Sequence, residues 1–517
     1  MPSHSDIASA ALKIGMEVHV ELATRSKMWT SAPNVAHADH EAAEPNTLLD
    51  PVVIGMPGTL PVANRDAVEM SIRVGLALNC HIAERTKWDR KSYWYPDLPK
   101  NYQISQYDMP LCYDGSMEIE LPAGDDTGEL PDFHTKQVGI IRAHLEEDAG
   151  KLLHEAPGGG KIDHSIVDLN RAGTPLLEIV TQPDLTTADE AVAFASQLRD
   201  LCRHLGVTRG VMQKGHIRFE PNINLVITTH DGHTHTTHIV EIKNLNSFRA
   251  LHGSIRYERQ RQLDAWLETG STRDTAGKST RGWDDAREVT TLQREKEEAH
   301  DYRYFPDPDL VTITIDAAWL ERIKVTQPET PRQKRERYLD ALGLAQAQAD
   351  QLLTDPGASG LVDAAVAAGA DARKAAAFVL NTAAALANDR GVAVGALGCS
   401  GQDVADVLRL QGEGQISSNA AADLLRYCCD EDAPAGELAK THGLLQVSDA
   451  GELEAFVDRV LADPSSAKAV EDIRGGKDKA VGALMGKVMK LSGGKANPGA
   501  VRGLILERVR GGDGSHG

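Results

Sequence analysis

The sequence predicts an α+β protein, with a mixed α/β amino-terminal region followed by an all-helical remainder. Three observations carry this. Over residues 12–310 short alternating runs, a capped helix and many Gly, Pro and Asn turns interleave. From about Ala317 onward Ala, Leu, Asp and Gln dominate at helical spacing, and β-branched runs disappear. Between them lies Asp301–Asp309 (DYRYFPDPD), whose prolines stop any long helix. A chain of 517 residues suits about three domains. We divide it at 1–305, 306–410 and 411–511.

The first element is a strand over Lys13–Leu22 (KIGMEVHVEL). Ile14, Met16, Val18, Val20 and Leu22 alternate onto one face, leaving Glu17, His19 and Glu21 on the other. Side chains at i and i+2 stand about 6.5–7 Å apart on a strand, so two carboxylates around an imidazole can converge on one cation. Oxygen-rich sites favour Mg²⁺, and one His does not exclude it. The same pattern suits the wet face of a half-buried strand. Next, Lys87–Asp108 gathers Trp88, Tyr93, Trp94, Tyr95, Tyr102 and Tyr107 among Lys87, Arg90, Lys91 and Lys100. Such a loop can stack a base and hold phosphates, or simply pack around Pro96 and Pro99.

Further on, His144-Leu145-Glu146-Glu147-Asp148 ends the apolar run Val138–Leu145. In Leu176-Leu177-Glu178-Ile179-Val180 a lone carboxylate interrupts a buried-looking strand, and a buried ionised carboxylate is costly unless paired or metal-bound. A helix is predicted over 188–205. Thr187 caps it, Glu190 completes a capping box, and Gly206 stops it. Arg218-Phe219-Glu220-Pro221-Asn222 and the polar stretch Glu241–Asn246 add further candidates.

Some motifs fail on spacing. Gly270–Ser279 (GSTRDTAGKS) has six residues between Gly270 and Gly277-Lys278-Ser279, whereas a phosphate loop needs four. His230, His233, His235 and His238 surround an Asp231-Gly232 turn and read as a polar hairpin end.

At the far end, nine Lys and Arg between Arg474 and Arg510 are opposed only by Asp478 and Glu507, a local charge of +7. The whole chain carries −20, so the remainder carries −27. On a helical wheel Val481, Leu484, Met485 and Val488 form one stripe, and Lys479, Lys487 and Lys490 share an arc of about 80°. This is a candidate phosphate reader or a solvated lysine face. The overall acidity argues against a general nucleic-acid binder. No CxxC pair, apolar span or signal peptide is visible, which predicts a reduced cytoplasmic protein without disulfides.

Together these segments resemble the B subunit of the tRNA-dependent amidotransferase GatCAB. The stretches that carry the resemblance are Gly15–Leu22, Gly55–Val62, Asp89–Asp108, His144–Lys151, Val167–Val180, Glu241–Phe248 and Asp301–Leu310. Gly476–Pro498 looks like the family's tail. The match is colinear over nearly the whole chain. It implies a cradle-like N-terminal catalytic domain, a helical domain and a small YqeY-like α-helical tail. It also implies an ATP-dependent ligase. Glu on tRNA(Gln), or Asp on tRNA(Asn), is phosphorylated on its side-chain carboxylate. Ammonia from a glutaminase A subunit then displaces the phosphate, and a small C subunit fastens A to B.

By the same resemblance Glu17, His19, Glu147 and Glu178 match the Mg²⁺ and transamidation site. Glu146 lies beside it, and Lys91 matches a lysine at the ammonia-tunnel mouth. The tail's Lys479, Lys487, Lys490 and Lys495 become tRNA contacts. Two departures stand out. Thr30, Ala32, Asp50 and Val53 occupy places where many members carry zinc-ligating cysteines, so no zinc is expected. Glu220 stands where the family has Asp, one methylene shorter, and is a further acidic candidate. Two rivals remain: a ligase for a free small carboxylate, and a non-catalytic tRNA scaffold.

Overall fold

The computed structural model describes residues 3–122, 133–156, 159–273, 277–295, 302–446, 450–492 and 496–511. The chain divides into two units, Met1–Thr330 and Pro331–Gly517. In chain order the first unit's strands begin with β1 (Ile7–Glu21), β2 (His81–Ile82), β3 (Arg85–Thr86), β4 (Asp89–Ser92), β5 (Tyr102–Ser105) and β6 (Cys112–Pro122). There follow β7 (Phe133–Glu147), β8 (Lys151–Ala156), β9 (Gly160–Asp168), β10 (Pro175–Thr181) and β11 (Ile217–Thr229). The last are β12 (Thr234–Thr236), β13 (Val240–Lys243), β14 (Ser279–Asp284), β15 (Val289–Glu295), β16 (Phe305–Pro306) and β17 (Ile313–Thr314). Its helices are α1 (Arg65–Ala77), α2 (Ala188–His204), α3 (Phe248–Thr269) and α4 (Ala317–Val325).

β1 lies in the middle of a ten-stranded sheet of order β15-β14-β13-β11-β1-β10-β7-β6-β2, with β12 hairpinned onto β11. Its alternation seals one face. Ile14, Met16, Val18, Val20 and Leu22 are fully buried and pack with apolar residues of α1, α2 and α3. The opposite face carries the polar set.

β7 breaks this alternation once. Val138 and Ile140 face the core, then Ala143 and Leu145 do. The extra residue is a bulge, seen as a register shift against β10 between Val180 and Thr181. Beyond it, His144 and Glu146 share the polar face, and Glu147 falls on the side of Leu145.

α2 matches the predicted span to within one residue, with Thr187 Oγ1 accepting from the Glu190 amide. The capping box differs from expectation. The Glu190 carboxylate accepts from the amide of Thr186, not Thr187, and pairs with Lys136. The cross-sheet lysine draws Glu190 one residue further back. Gly206 ends the helix at φ +68°. The histidine segment is a hairpin end: β11 pairs with β12 across Asp231-Gly232.

The second unit is helical throughout its described residues, apart from an isolated bridge between Ile416 and Leu445. One apolar cluster joins residues from Tyr338 to Leu425, and a second joins Val407 to Ala439. A third, within 453–509, is built on Leu453, Val457, Leu484, Val488 and Ile505. The predicted Val481–Val488 stripe is its centre. Both parts of the α+β prediction therefore hold. Among the described residues no helix is long and apolar enough to cross a membrane.

Two glycines test the helix packing of the second unit. A Cβ on Gly401 would come within 2.4 Å of the Ala364 backbone, whereas one on Gly412 meets nothing within 4 Å. Alanine is favoured in a helix by about 0.5–1 kcal/mol over glycine. Thermal unfolding should show a lowered midpoint for Gly401→Ala and an unchanged or raised one for Gly412→Ala. Equal effects would refute the close approach.

Candidate active site

Four strands build one polar layer. In register, Arg218 on β11 lies beside His19 on β1, His19 beside Glu178 on β10, and Glu178 beside His144 on β7. Glu17 of β1 lies beside Glu220 of β11. His19 Nε2 is 3.7 Å from both Glu17 Oε1 and Glu178 Oε2. His144 Nε2 is 3.5 Å from Glu178 Oε2. These separations exceed a good hydrogen bond, yet the groups converge. Ligand atoms of Glu17, His19 and Glu220 lie within 4.8 Å of one another, and so do those of His19, Glu146 and Glu178. His19 belongs to both sets.

The layer is not saturated internally. The Nδ1 atoms of His19 and His144 are buried without a hydrogen-bond partner. Burial, then Glu178, raises the pKa of Glu17. Burial holds His144 down to about 3, so its imidazole is neutral at physiological pH. A carboxylate raised by its like-charged neighbour is stabilised by any cation placed between them. Carboxylates and one imidazole are a donor set that suits Mg²⁺.

The adjacent carboxylates of β7 diverge. Glu146 lies on the polar face and accepts from Ser105 Oγ at 3.3 Å. Glu147 lies on the other side, only 2% exposed, where Lys100 Nζ grips both its oxygens and the Ile104 amide donates at 3.0 Å. β5 therefore clasps the end of β7 from both sides. Gln103 Nε2 also donates to the Glu147 carbonyl and the Leu145 amide donates to Gln106 Oε1.

Lys91, on β4, meets rings rather than carboxylates. Its Nζ lies 5.1 Å from the Tyr302 ring centre and 6.0 Å from that of Tyr93. Burial disfavours its charge, but Glu146, Tyr304 and Glu178 outweigh this and raise its pKa. The DYRYFPDPD segment holds it there. β16 pairs with β4, the Ser92 amide donates to the Tyr302 carbonyl, and Arg90 bridges Asp307 and Asp309. Tyr304 stacks on Tyr107 at 4.3 Å. Trp94 and Tyr95 are exposed, whereas Trp88 is packed against Trp29. The aromatic loop is thus part packing and part open surface.

Ion pairs ring the layer. Asp148 takes Arg218 at 2.7 Å and Arg171 at 3.7 Å. Burial, then Asp148, pushes Glu21 up to about 8. Lys243 joins Glu220 and Glu241.

The positions considered for zinc lie close together. Thr30 donates to Asp50, while Ala32 and Val53 pack with Ala172. In the tail, Lys479 and Lys490 are exposed. Lys487 turns inward to Asp463, Ser465 and Ser466. Lys495 lies outside the described residues.

Sequence reasoning missed the grip of Lys100 on Glu147. Strand parity was the available signal, because Glu147 follows Leu145 and Ala143. It also left DYRYFPDPD without a partner, since a two-residue strand paired more than 200 residues away has no local signature.

A family model described as the GatB/GatE catalytic domain matches residues 12–321, and one described as the GatB domain matches 360–509. The chain is 43% identical to the B subunit of the aspartyl/glutamyl-tRNA(Asn/Gln) amidotransferase of Moorella thermoacetica, over 96% of this chain and 99% of that protein. It is 42% identical to the same-named proteins of Rhodopirellula baltica and Kineococcus radiotolerans, over 96% of each chain.

The Lys100–Glu147 pair is open to a stability test. Breaking a buried pair from one side costs about 3–5 kcal/mol, whereas replacing both partners is far milder. Denaturant unfolding should show Lys100→Met strongly destabilised and Lys100→Met with Glu147→Met largely recovered. A neutral single variant would refute the pairing.

Proposed function

The chain belongs to the GatB family, and from that premise we propose that it is the transamidating subunit of a tRNA-dependent amidotransferase. It is an ATP-using ligase with glutamine as amide donor. It works with a glutaminase A subunit and a small C subunit in the cytoplasm, on Glu-tRNA(Gln), Asp-tRNA(Asn) or both. The observation that carries the reading is the polar layer of Glu17, His19, Glu178, Glu146 and Glu220 beside Lys91.

A carboxylate is a poor acyl donor, so its oxygen must first become part of a leaving group. The substrate carboxylate attacks the γ-phosphorus of ATP, the bond to ADP breaks, and an acyl phosphate forms. Ammonia then attacks the acyl carbon, and phosphate departs with the C–O electron pair. Glu17, His19 and Glu178 are the residues that would hold Mg²⁺, with Glu146 and Glu220 on its two sides. Bound there, Mg²⁺ would supply positive charge that offsets the negative charge developing during transfer. Of the two neighbouring carboxylates, the geometry favours Glu146 as ligand and gives Glu147 the task of fixing β5 through Lys100. Lys91 keeps a positive charge over the substrate carboxylate. Glu146 is the carboxylate placed to take a proton from the attacking ammonia.

Thr30, Ala32, Asp50 and Val53 offer no thiolate or imidazole, so we propose no zinc in this chain. The tail reads tRNA phosphates through Lys479 and Lys490, with Lys495 in the same basic stretch. Lys487, already committed to Asp463, contributes least. A basic tail suffices to bind tRNA, while the −27 remainder faces protein partners and water.

The deciding experiment uses the chain with its A and C partners, Glu-tRNA(Gln) or Asp-tRNA(Asn), ATP and ammonium chloride. The expected result is amidated tRNA that requires Mg²⁺ and does not require glutamine. Amidation of free glutamate or aspartate instead would favour the small-carboxylate ligase, and no product with either tRNA would favour the scaffold. In this assay Glu178→Gln and Glu146→Gln should lose more than about 100-fold in rate with tRNA binding intact. Glu147→Gln should act mainly on stability, and a loss of Mg²⁺ response confined to it would reverse their assignment. Lys479→Gln and Lys490→Gln should each weaken tRNA binding and lower the salt slope by about 1, with a smaller effect for Lys487→Gln. Equal slopes for all three would remove the tail reading.

A further inference from the structure

We propose that Arg142 grips the γ-phosphoryl group of ATP, and then the acyl phosphate it becomes, during carboxylate activation. This rests on the function proposed above. Three observations support it. First, the β7 bulge separates Ile140 from Ala143 on the core side and puts Arg142 on the polar face with His144 and Glu146. Without the extra residue, Arg142 would fall on the core side. Second, register sets Arg142 in line with the acids: it lies beside Val180, Val180 beside Glu17, and Glu17 beside Glu220. The imidazole of His144 feels its charge.

Third, the surrounding cations are accounted for and Arg142 is not. Arg218 and Arg171 are held by Asp148, Lys243 by Glu220 and Glu241, and Lys100 by Glu147. Lys91 lies against Tyr93 and Tyr302. Among the described residues Arg142 makes no ion pair and no side-chain hydrogen bond, although it is only partly exposed on a carboxylate-rich face. A half-buried guanidinium with an unused fork is matched by two phosphate oxygens, which it binds bidentately.

In the step, the substrate carboxylate oxygen bonds to the γ-phosphorus and the bond to ADP breaks, its electron pair leaving with ADP. Negative charge spreads over the γ-phosphoryl oxygens, where Arg142 donates. In the second step ammonia bonds to the acyl carbon and gives up a proton to Glu146, the C–O bond breaks, and the phosphate leaves with its electron pair still against Arg142. The guanidinium stays protonated throughout.

The test uses the assembled complex with Glu-tRNA(Gln), ATP, Mg²⁺ and ammonium chloride, reading tRNA-dependent ADP release and tRNA affinity separately. Arg142→Ala and Arg142→Gln should lose about a thousandfold in ADP release with tRNA affinity unchanged. Arg142→Lys should retain an intermediate rate as a point charge, and free guanidinium should restore part of the rate of Arg142→Ala only. Near wild-type ADP release in the Ala and Gln variants overturns the proposal. So does a loss that is equal in Arg142→Lys and Arg142→Ala and insensitive to guanidinium, because that is a structural role. If the unaltered complex releases no ADP with either aminoacyl-tRNA, it is the function proposed above that fails.

Discussion

Glu17 and His19 can stand where they do because the other face of β1 is sealed by Ile14, Met16, Val18 and Val20 against three helices. That seal fixes the register, since a slip of one residue would send the carboxylates into the core. It also creates the problem that organises the site. Several carboxylates are crowded onto a sheet face that is largely withdrawn from water, and burial with Glu178 raises the pKa of Glu17. The rim is compensated by fixed Lys and Arg, each paired to a named acid. The centre around His19 is not. An anionic centre inside a neutralised rim concentrates its field on whatever cation enters.

The bulge in β7 is the second constraint. Without it, Arg142, His144 and Glu146 would all fall on the core face of Val138 and Ile140. With it, a cation and a carboxylate four residues apart share the polar face, and the next carboxylate turns to the other side. Glu146 and Glu147 then live in different surroundings despite being adjacent. One faces Ser105 and the charge of Lys91, while the other is clamped by Lys100 and the Ile104 amide. The clamp also fixes β5, and through its pairing β4, which carries Lys91.

Much of this was legible in the sequence because it is local. The alternation of β1, the span and cap of α2, the Asp231-Gly232 hairpin and the helical composition shift are legible from near neighbours in the chain. Glu178 was legible for a related reason, as a charge inside an apolar run. What was not legible depends on residues distant in sequence. Lys100 reaches Glu147 across a turn with no periodic pattern. Phe305 and Pro306 pair with Arg90 and Asp89 across the whole domain. Lys136 pulls Glu190 off its predicted capping partner. Lys487 shares its arc with Lys479 and Lys490, but the arc says nothing of Asp463, which approaches from another helix connection and takes it up.

The way Lys91 is held completes the electrostatic argument. A lysine paired with a carboxylate is neutralised and has little attraction left for a substrate anion. A lysine held against tyrosine rings is stabilised by their quadrupoles while its net charge persists. Tyr93 and Tyr302 do this on one side, and Glu146 and Glu178 favour the charged form from a distance without an ion pair. The site therefore holds two kinds of cation. Arg218, Lys243 and Lys100 are structural, because their acids consume them. Lys91, held by rings and not by an acid, keeps its charge, and under the proposed function it stands with Arg142 as a cation left for the substrate's carboxylate and phosphate groups. The segment that supplies Tyr302 is also the one that straps β4 through Arg90, Asp307 and Asp309, so the same short strand both places the lysine and preserves its charge.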